Sequence, residues 1–274
     1  MLIDTHEHCF CSETGKIQNG ELMNVFEMNN IQFVEIGIDC YDIDAMIAAV
    51  ENEKVCIGAV LGEHPKLITA DAEIEKIFDY VKERVVRYRH QVRGIKTGLD
   101  YYRVTDGCAR GNQRKLLKMF LEYASEEKLS VVLHVRAEKW GRGLCDADVD
   151  LLAAINEVSY KEKMVIHCFD GTPEKAAKYL EVNNNTYFGI GGLITYRGRE
   201  MLIEAVKSIP KERILLESDG PYVKPFYPDG RRPRGNNSSI NLPLVVSKLA
   251  EIWEMTTDEV EEMALRNAYE FYGM

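Results

Sequence analysis

The sequence predicts an α/β protein with the (β/α)8 TIM-barrel fold, in one domain over residues 1–274. Eight apolar strand patterns alternate with helical patterns, which indicates parallel strands joined by crossover helices. Several strands are continuous apolar runs, at 131–133 and 214–216 for example, as expected for a sheet covered on both faces. A doubly wound sheet would place a glycine-rich phosphate loop after its first strand, and the sequence has none there.

The first half of the chain contains four of the predicted strands, at 2–4, 31–37, 55–61 and 92–97. A weak helical pattern over 21–29 and a helix over 42–53, with Asp42 as its N-cap, follow the first two strands. The segment 71–88 is predicted to be a helix because its apolar residues recur at helical spacing. These residues are Ile74, Ile77, Phe78, Val81 and Val85.

The second half repeats the alternation, with strands predicted at 130–135, 163–169, 187–190 and 213–217. Helices are predicted at 113–128, 146–158 and 199–208, and another begins at Pro173 behind the N-cap Thr172. Two further helices, 242–254 and 257–272, end the chain. No composition shift marks a domain boundary, and the length of 274 residues is usual for one α/β barrel.

The composition limits the classes of function. No apolar run approaches a membrane span and no signal peptide precedes the first strand, so we expect a cytoplasmic protein with no membrane partner. Seven cysteines without regular spacing argue against a disulfide framework. A net charge of −10 excludes a general nucleic-acid coat, although a local basic loop could still bind nucleic acid.

The histidines indicate a metal site. His6 and His8 share one side of the first strand, since residues i and i+2 of a strand point the same way. His64, His134 and His167 follow or end other predicted strands, and Asp219 ends the eighth. In such barrels the carboxyl ends of the strands carry the active site, so these side chains are expected to converge. A single one of these histidines would more simply be interpreted as a structural residue than as a metal ligand. Five histidines on one rim of the barrel favour a metal site.

The chain resembles the TatD-like metal-dependent deoxyribonucleases, a branch of the amidohydrolase superfamily, through short motifs that occur in the family's order. The motifs are Ile3-Asp4-Thr5-His6-x-His8, Gly62-x-His64-Pro65, Gly98-Leu99-Asp100-Tyr101, His134-x-Arg136, His167-Cys168-Phe169-x-Gly171, Glu217-Ser218-Asp219-x-Pro221-Tyr222 and Asn267-Ala268. No single motif is decisive, but the ordered set covers nearly the whole chain.

The resemblance implies hydrolysis of phosphodiester bonds at a site that usually holds two divalent ions of zinc, manganese or magnesium. His6, His8 and Asp219 would hold one ion, and His134 and His167 the other. The family has a bridging Glu where this chain has Lys96. Three states of Lys96 are open. It is carboxylated and bridges two ions, it stays cationic beside a single ion, or its side chain points away from the site.

Asp219 is the predicted catalytic residue, which would hold the attacking water and accept its proton. His64 and Arg136 are expected to bind a phosphate oxygen, and Glu217 either orients a histidine ligand or forms a salt bridge. The loop 224–235 carries Arg232 and Arg234 next to aromatic residues, which suits a DNA strand, although the family's motif there matches only in part. The alternative is a solvated Pro/Gly loop.

The main prediction is a monomeric DNA or nucleotide phosphodiesterase. One alternative is an amidohydrolase for a small amide, lactone or phosphoester, which the acidic pI of about 5.2 favours. The other is a metal or ligand binder without catalysis.

Overall fold

The computed structural model describes residues 1–17, 20–138 and 143–274. Its main sheet, within these ranges, has eight strands that pair in sequence order, and every paired neighbour is parallel. We number them β1 Leu2–Glu7, β2 Ile31–Ile36, β3 Cys56–Gly62, β4 Val92–Asp100, β5 Ser130–Arg136, β6 Met164–Ile166, β7 Thr186–Ile190 and β8 Ile214–Leu216. A small antiparallel pair, Phe10–Cys11 with Lys16–Ile17, follows β1. The predicted barrel is confirmed.

The sheet closes between its first and last strands. Glu7 forms a parallel bridge with Gly220, just beyond β8. The Thr5 hydroxyl donates to the Leu216 carbonyl at 2.9 Å, and the Asp219 N–H donates to the His6 carbonyl at 2.9 Å. Residues that follow β8 are therefore held directly beside the end of β1.

Helices cover the outside of the sheet. They are α1 Gly20–Met28, α2 Ile43–Val50, α3 Ile74–Arg87, α4 Gly107–Glu127, α5 Asp146–Val158, α6 Pro173–Val182, α7 Glu200–Ser208, α8 Leu242–Trp253 and α9 Thr257–Tyr272. Helix α3 buries Ile74, Ile77, Val81 and Val85, as its spacing predicts. The Thr172 side chain caps α6 by accepting the Lys175 N–H.

Several predicted boundaries were wrong, including those of α4 and β6. Helix α4 begins at Gly107 rather than at residue 113, because the Asp106 carboxylate accepts the Ala109 N–H at 2.8 Å and caps it there. The two glycines in its first turns weaken the sequence signal. Strand β6 covers only 164–166 of the predicted 163–169, and the chain leaves the sheet before His167.

The bottom of the barrel is filled by the chain's last helix. Phe271 and Tyr272 pack against inward-facing strand residues, including Val132 and Leu215. The Tyr272 hydroxyl donates to the Thr5 carbonyl at 2.8 Å, and the Ser130 hydroxyl at the start of β5 donates to the Phe271 carbonyl. This end is therefore packed, which leaves the carboxyl end of the strands for a ligand. Among the described helices, none has the length and apolar character needed to cross a membrane.

Candidate active site

The strand ends surround one cavity of about 590 Å³ at the carboxyl end of the barrel. Several of the predicted site residues line it: His8, His64, Lys96, His134, Arg136, His167 and Asp219. His6 lies directly behind them, since its ring stacks on that of His167 with centroids 3.5 Å apart. The barrel thus brings together residues that are up to 213 positions apart in the chain, as His6 and Asp219 are.

One carboxylate oxygen is common to three imidazoles. Oδ1 of Asp219 lies 3.5 Å from Nε2 of His167, 3.6 Å from Nε2 of His8 and 4.0 Å from Nε2 of His6. Asp219 has a φ of 53°, in the left-handed region that non-glycine residues seldom adopt. Such backbone strain often accompanies a functional role.

The other ring nitrogens contact groups that set the orientation of the histidines. Nδ1 of His8 lies 2.7 Å from the Ile36 carbonyl, so it carries the proton and leaves the Nε2 lone pair facing Asp219. Nδ1 of His167 lies 3.1 Å from Oε1 of Glu217, which also accepts the Cys168 N–H at 2.6 Å. Contacts of this kind commonly orient metal-binding histidines.

Glu217 fits under the site because β7 has a glycine beside it. A Cβ on Gly189 would lie 2.0 Å from Oε2 of Glu217, which no side chain could tolerate. The Glu217 carboxylate is buried and points toward His167. Of the two roles considered for Glu217, its position corresponds to the orienting one.

Burial keeps two of the histidines neutral. It lowers the pKa of His6 well below its usual value, with help from the neighbouring His167 and Lys96, and it also lowers that of His8. Burial by itself would raise the pKa of Asp219, but the neighbouring His167 and His8 outweigh burial and lower the pKa of this carboxyl. Neutral imidazoles and an ionised carboxylate are the protonation states that bind a metal ion.

The donor set fits a divalent ion. Potential ligand atoms of His6, His8 and Asp219 all lie within 4.8 Å of one another, and so do those of His6, His167 and Glu217. Imidazole nitrogen with carboxylate oxygen suits zinc and other first-row divalent ions.

Comparison with known proteins identifies the family. The family model described as "TatD related DNase" matches residues 3–273. The chain belongs to the TatD family. The uncharacterized metal-dependent hydrolase YabD of Bacillus subtilis is 28% identical over 98% of this chain and 97% of its own length. A TatD homologue of Escherichia coli K12, YJJV, has a similar structure, with a TM-score of 0.83 and 21% identity over 100% of this chain and 98% of that one.

Membership in the TatD family confirms the resemblance and the hydrolase class. An archaeal relative, the uncharacterized metal-dependent hydrolase MJ1582 of Methanocaldococcus jannaschii, is 25% identical over 98% of this chain and 96% of its own length. The chain is therefore a TatD-family metal-dependent hydrolase.

Lys96, which stands where the TatD resemblance implies a glutamate, points into the site. Its side chain is 1% exposed, and Nζ lies 3.2 Å from Nε2 of His6. Burial lowers the pKa of the amine to about 8, against the opposing influence of Asp219 and Glu217. Of the three predicted roles for Lys96, pointing elsewhere does not describe this geometry.

His134 and His64 occupy a different side of the cavity from the three imidazoles around Asp219. Nε2 of His134 lies 3.2 Å from Oδ2 of the buried Asp100, and its ring lies 4.3 Å from that of His64. His167, which the family resemblance pairs with His134, has its ring centroid 6.3 Å from that of His134 and stacks on His6. Arg136 lines the cavity with its guanidinium 4.2 Å from the Tyr102 ring.

The basic loop after β8 divides its arginines between two places. The Arg232 guanidinium lies 4.4 Å from the Phe226 ring and 5.4 Å from the Tyr196 ring. Arg234 lines a second cavity next to His8. Neither arginine belongs to the described lining of the central cavity.

The structure adds polar residues that sequence reasoning did not assign to the site. Asp100 holds His134, and Lys66, Lys175 and Arg199 line the cavity. Lys66 follows His64-Pro65 closely in sequence, which was an available signal. Lys175 and Arg199 are on a helix and just before one, where nothing in a single sequence separates them from solvated surface charges.

Proposed function

We propose that this chain hydrolyses phosphodiester bonds of DNA, using one divalent ion held by His6, His8 and Asp219. The charge of the central cavity carries the proposal. Among the described residues, six Lys or Arg side chains and three Asp side chains line it, although the whole chain has a net charge of −10. A cavity with this excess of cations attracts an anionic substrate.

Three of these cations suit the phosphate itself. Lys66 and Arg103 come from the loops that follow β3 and β4, and Arg136 ends β5, on the side of the cavity that holds His64 and His134. The other two peripheral cations are paired, Lys175 with Asp148 at 2.9 Å and Arg199 with Asp170 at 3.2 Å. Arginine binds phosphate oxygens through two parallel hydrogen bonds, so Arg136 and Arg103 are the proposed clamp.

The ion is zinc, manganese or magnesium, and we propose one per chain. The ring centroids of the second predicted ligand pair, His134 and His167, lie 6.3 Å apart, but their Nε2 atoms face different carboxylates, Asp100 for His134 and Asp219 for His167. A cationic Lys96, whose Nζ lies 3.2 Å from Nε2 of His6, takes the place of a second ion and its charge opposes one. A carboxylated Lys96 would reverse that charge and is the alternative.

The residues divide the chemical work as follows. A bound divalent ion supplies a Lewis acid that lets water ionise near neutral pH. Asp219 orients that water and accepts its proton, since its Oδ1 already faces the three Nε2 atoms. Glu217 keeps His167 in position, and Lys96 and the arginines stabilise the negative charge that develops on the phosphate.

A small amide, lactone or phosphoester is the second candidate substrate. The cavity is of a size that usually encloses a small molecule, and its walls include Ile38, Phe169 and Leu193.

The monomeric state, the cytoplasmic location and the single domain over residues 1–274 stay predictions.

Incubating the protein with labelled DNA and with a panel of small esters and lactones tests the proposal. Each reaction is run after chelation and after addition of manganese, magnesium or zinc. We expect ion-dependent cleavage of DNA and a loss of about a thousandfold in Asp219→Asn. Asp229→Asn, on the exposed loop, is the matched control. Preferred turnover of an uncharged ester would support the second candidate, and ion binding without any turnover would indicate a binder.

A further inference from the structure

A buried side-chain amide behind the cavity wall joins two segments that carry site residues. Gln113 is on α4, is 1% exposed, and is outside the described lining of the central cavity. Its Oε1 accepts the Asp100 N–H at 3.0 Å, and its Nε2 donates to the Pro65 carbonyl at 2.8 Å. One side chain therefore links the carboxyl end of β4 to the loop after β3.

This link acts where the pairing of β3 with β4 has ended. Gly62 and Lys96 are the last paired residues of these two strands. Strand β4 continues to Asp100 beside β5, whereas the chain after β3 leaves the sheet and forms a short 3₁₀-helix, Pro65–Leu67. Beyond Gly62 the ladder no longer fixes the distance between the two segments, and the two hydrogen bonds of Gln113 do so instead.

The loop after β3 carries two groups that line the central cavity, His64 and Lys66. The Lys66 N–H donates to Nδ1 of His64 at 3.1 Å. In the neutral ring the proton is therefore on Nε2, which can donate to a phosphate oxygen. The α4 residue before Gln113, Asn112, donates to the Thr69 carbonyl at 2.9 Å, so α4 holds this loop at two points.

The end of β4 carries the carboxylate that holds His134. Oδ2 of Asp100 lies 3.2 Å from Nε2 of His134, and Oδ1 of Asp100 accepts the Arg103 N–H at 2.9 Å. The ring centroids of His64 and His134 lie 4.3 Å apart. A shift of the loop relative to β4 would therefore change the distance between these two rings.

We infer that Gln113 is a positioning residue, which holds His64 and Lys66 at a fixed distance from the pair formed by Asp100 and His134. The inference rests on the proposed function only in taking these groups to bind the phosphate of the substrate. An amide is required because one partner is a backbone N–H and the other a carbonyl. Methionine has a similar length but offers neither hydrogen bond.

Gln113→Met is therefore the test variant, and Asn183→Leu is its matched control. Asn183 is also 1% exposed, accepts the Asn185 N–H at 2.9 Å and donates to the Glu162 carbonyl at 2.9 Å. It precedes β7 at the opposite end of the barrel from the cavity. Both variants lose two buried hydrogen bonds to the backbone, so both should unfold at lower urea concentration than the wild type.

Imidazole ¹⁵N NMR of the zinc-loaded proteins reports on the two rings without any substrate. The signals of His64 and His134 are assigned by their absence from His64→Ala and His134→Ala. We expect both signals to shift in Gln113→Met and to stay at their wild-type positions in Asn183→Leu. Calorimetric titration with inorganic phosphate should give a Kd raised about tenfold in Gln113→Met alone, as for one weakened hydrogen bond to a charged group. The zinc content should not change.

The outcomes separate this inference from the proposed function. Wild-type ring signals or a wild-type Kd for phosphate in Gln113→Met would overturn the inference, and so would equal changes in Asn183→Leu. Shifted signals with a raised Kd support the inference even if DNA is not cleaved, and that result would contradict only the proposed function. If the wild type binds no phosphate, the proposed function fails and the ring signals alone decide the role of Gln113.

Discussion

Oδ1 of Asp219 lies within 4.0 Å of Nε2 of three histidines, and this is the densest convergence of ligand atoms in the proposed centre. His134 is outside it, because its Nε2 lies beside Asp100. The two histidines that the family resemblance assigns to one ion therefore have different surroundings. This difference can be measured with single substitutions.

His167→Ala should weaken ion binding, because it removes an imidazole that contacts the proposed ligand Asp219, whereas His134→Ala should retain the ion and lose activity through weaker substrate binding. The reason is that His167 faces Asp219 while His134 faces Asp100 and the cationic side of the cavity. Metal content by mass spectrometry and KM for DNA are the measurements. His90→Ala, far from the central cavity's lining, is the control. Loss of the ion in His134→Ala would contradict the assignment.

The convergence of these side chains on one rim could be predicted from the sequence, but their individual contacts could not. His6, His8, His134, His167 and Asp219 lie at or just after the carboxyl ends of strands, and the barrel places all these ends on one rim. Which nitrogen faces which carboxylate depends on side chains of other strands, as with Nε2 of His134 and Asp100. A single sequence contains no record of those contacts.

At the scale of elements, a buried cluster joins β1 to the loop after β8. The Ser239 hydroxyl lies 2.7 Å from Oδ2 of Asp4 and 2.8 Å from Oε2 of Glu7. The Ser239 N–H and the Ser218 hydroxyl also donate to Oε2 of Glu7, at 2.8 and 2.6 Å. Since Ser218 precedes Asp219 directly, the cluster holds the proposed catalytic carboxylate beside His6 and His8.

Ser239→Ala should lower the free energy of unfolding by about 1–3 kcal/mol, because two buried carboxylates lose a hydrogen-bond partner. It should also weaken ion binding, since the segment carrying Asp219 is less firmly held. Urea unfolding of the ion-free protein and a titration with manganese measure the two effects. Ser247→Ala on α8 removes an exposed hydroxyl that bonds only to the preceding turn, at the Pro243 carbonyl, and serves as control. Equal stability in the two variants would show that the cluster does not hold the barrel closed.

The order of strands and helices could be predicted from the alternation of their sequence patterns, but the ends of some of them could not. Strand β4 continues to Asp100, three residues beyond the predicted end, and pairs with β5 as far as Arg136. Gly98 interrupts the apolar pattern there, yet its φ of 144° and close approach to the His134 backbone require a glycine. Gly98 looks like a strand end in the sequence, but it is needed for β4 to pack against β5.

At the scale of the whole molecule, the charge is unevenly distributed. The chain carries −10, while its central cavity is lined by more cations than carboxylates among the described residues. The net negative charge of the chain repels an anionic substrate at long range, whereas the cations of the central cavity attract it locally. Salt screens these two effects to different extents.

We expect kcat/KM for a short DNA strand to fall as sodium chloride rises from roughly 0.05 to 0.5 M, because counterions compete for the cavity. Arg136→Gln should reduce this dependence, and an uncharged ester should show none. The matched control is Arg213→Gln. Arg213 contacts Tyr187 on β7 and Glu270 on α9. A salt response that is identical for DNA and the uncharged ester would contradict the electrostatic account.

The most direct test of the single-ion centre is the metal content of the purified chain and of Lys96→Glu. Both are reconstituted with manganese or zinc, with and without bicarbonate, and analysed by mass spectrometry together with protein concentration. A cationic Lys96 predicts one ion per wild-type chain, no effect of bicarbonate, and a second ion in Lys96→Glu. Two ions per wild-type chain, bound only when bicarbonate is present, would contradict the account and identify a carboxylated lysine.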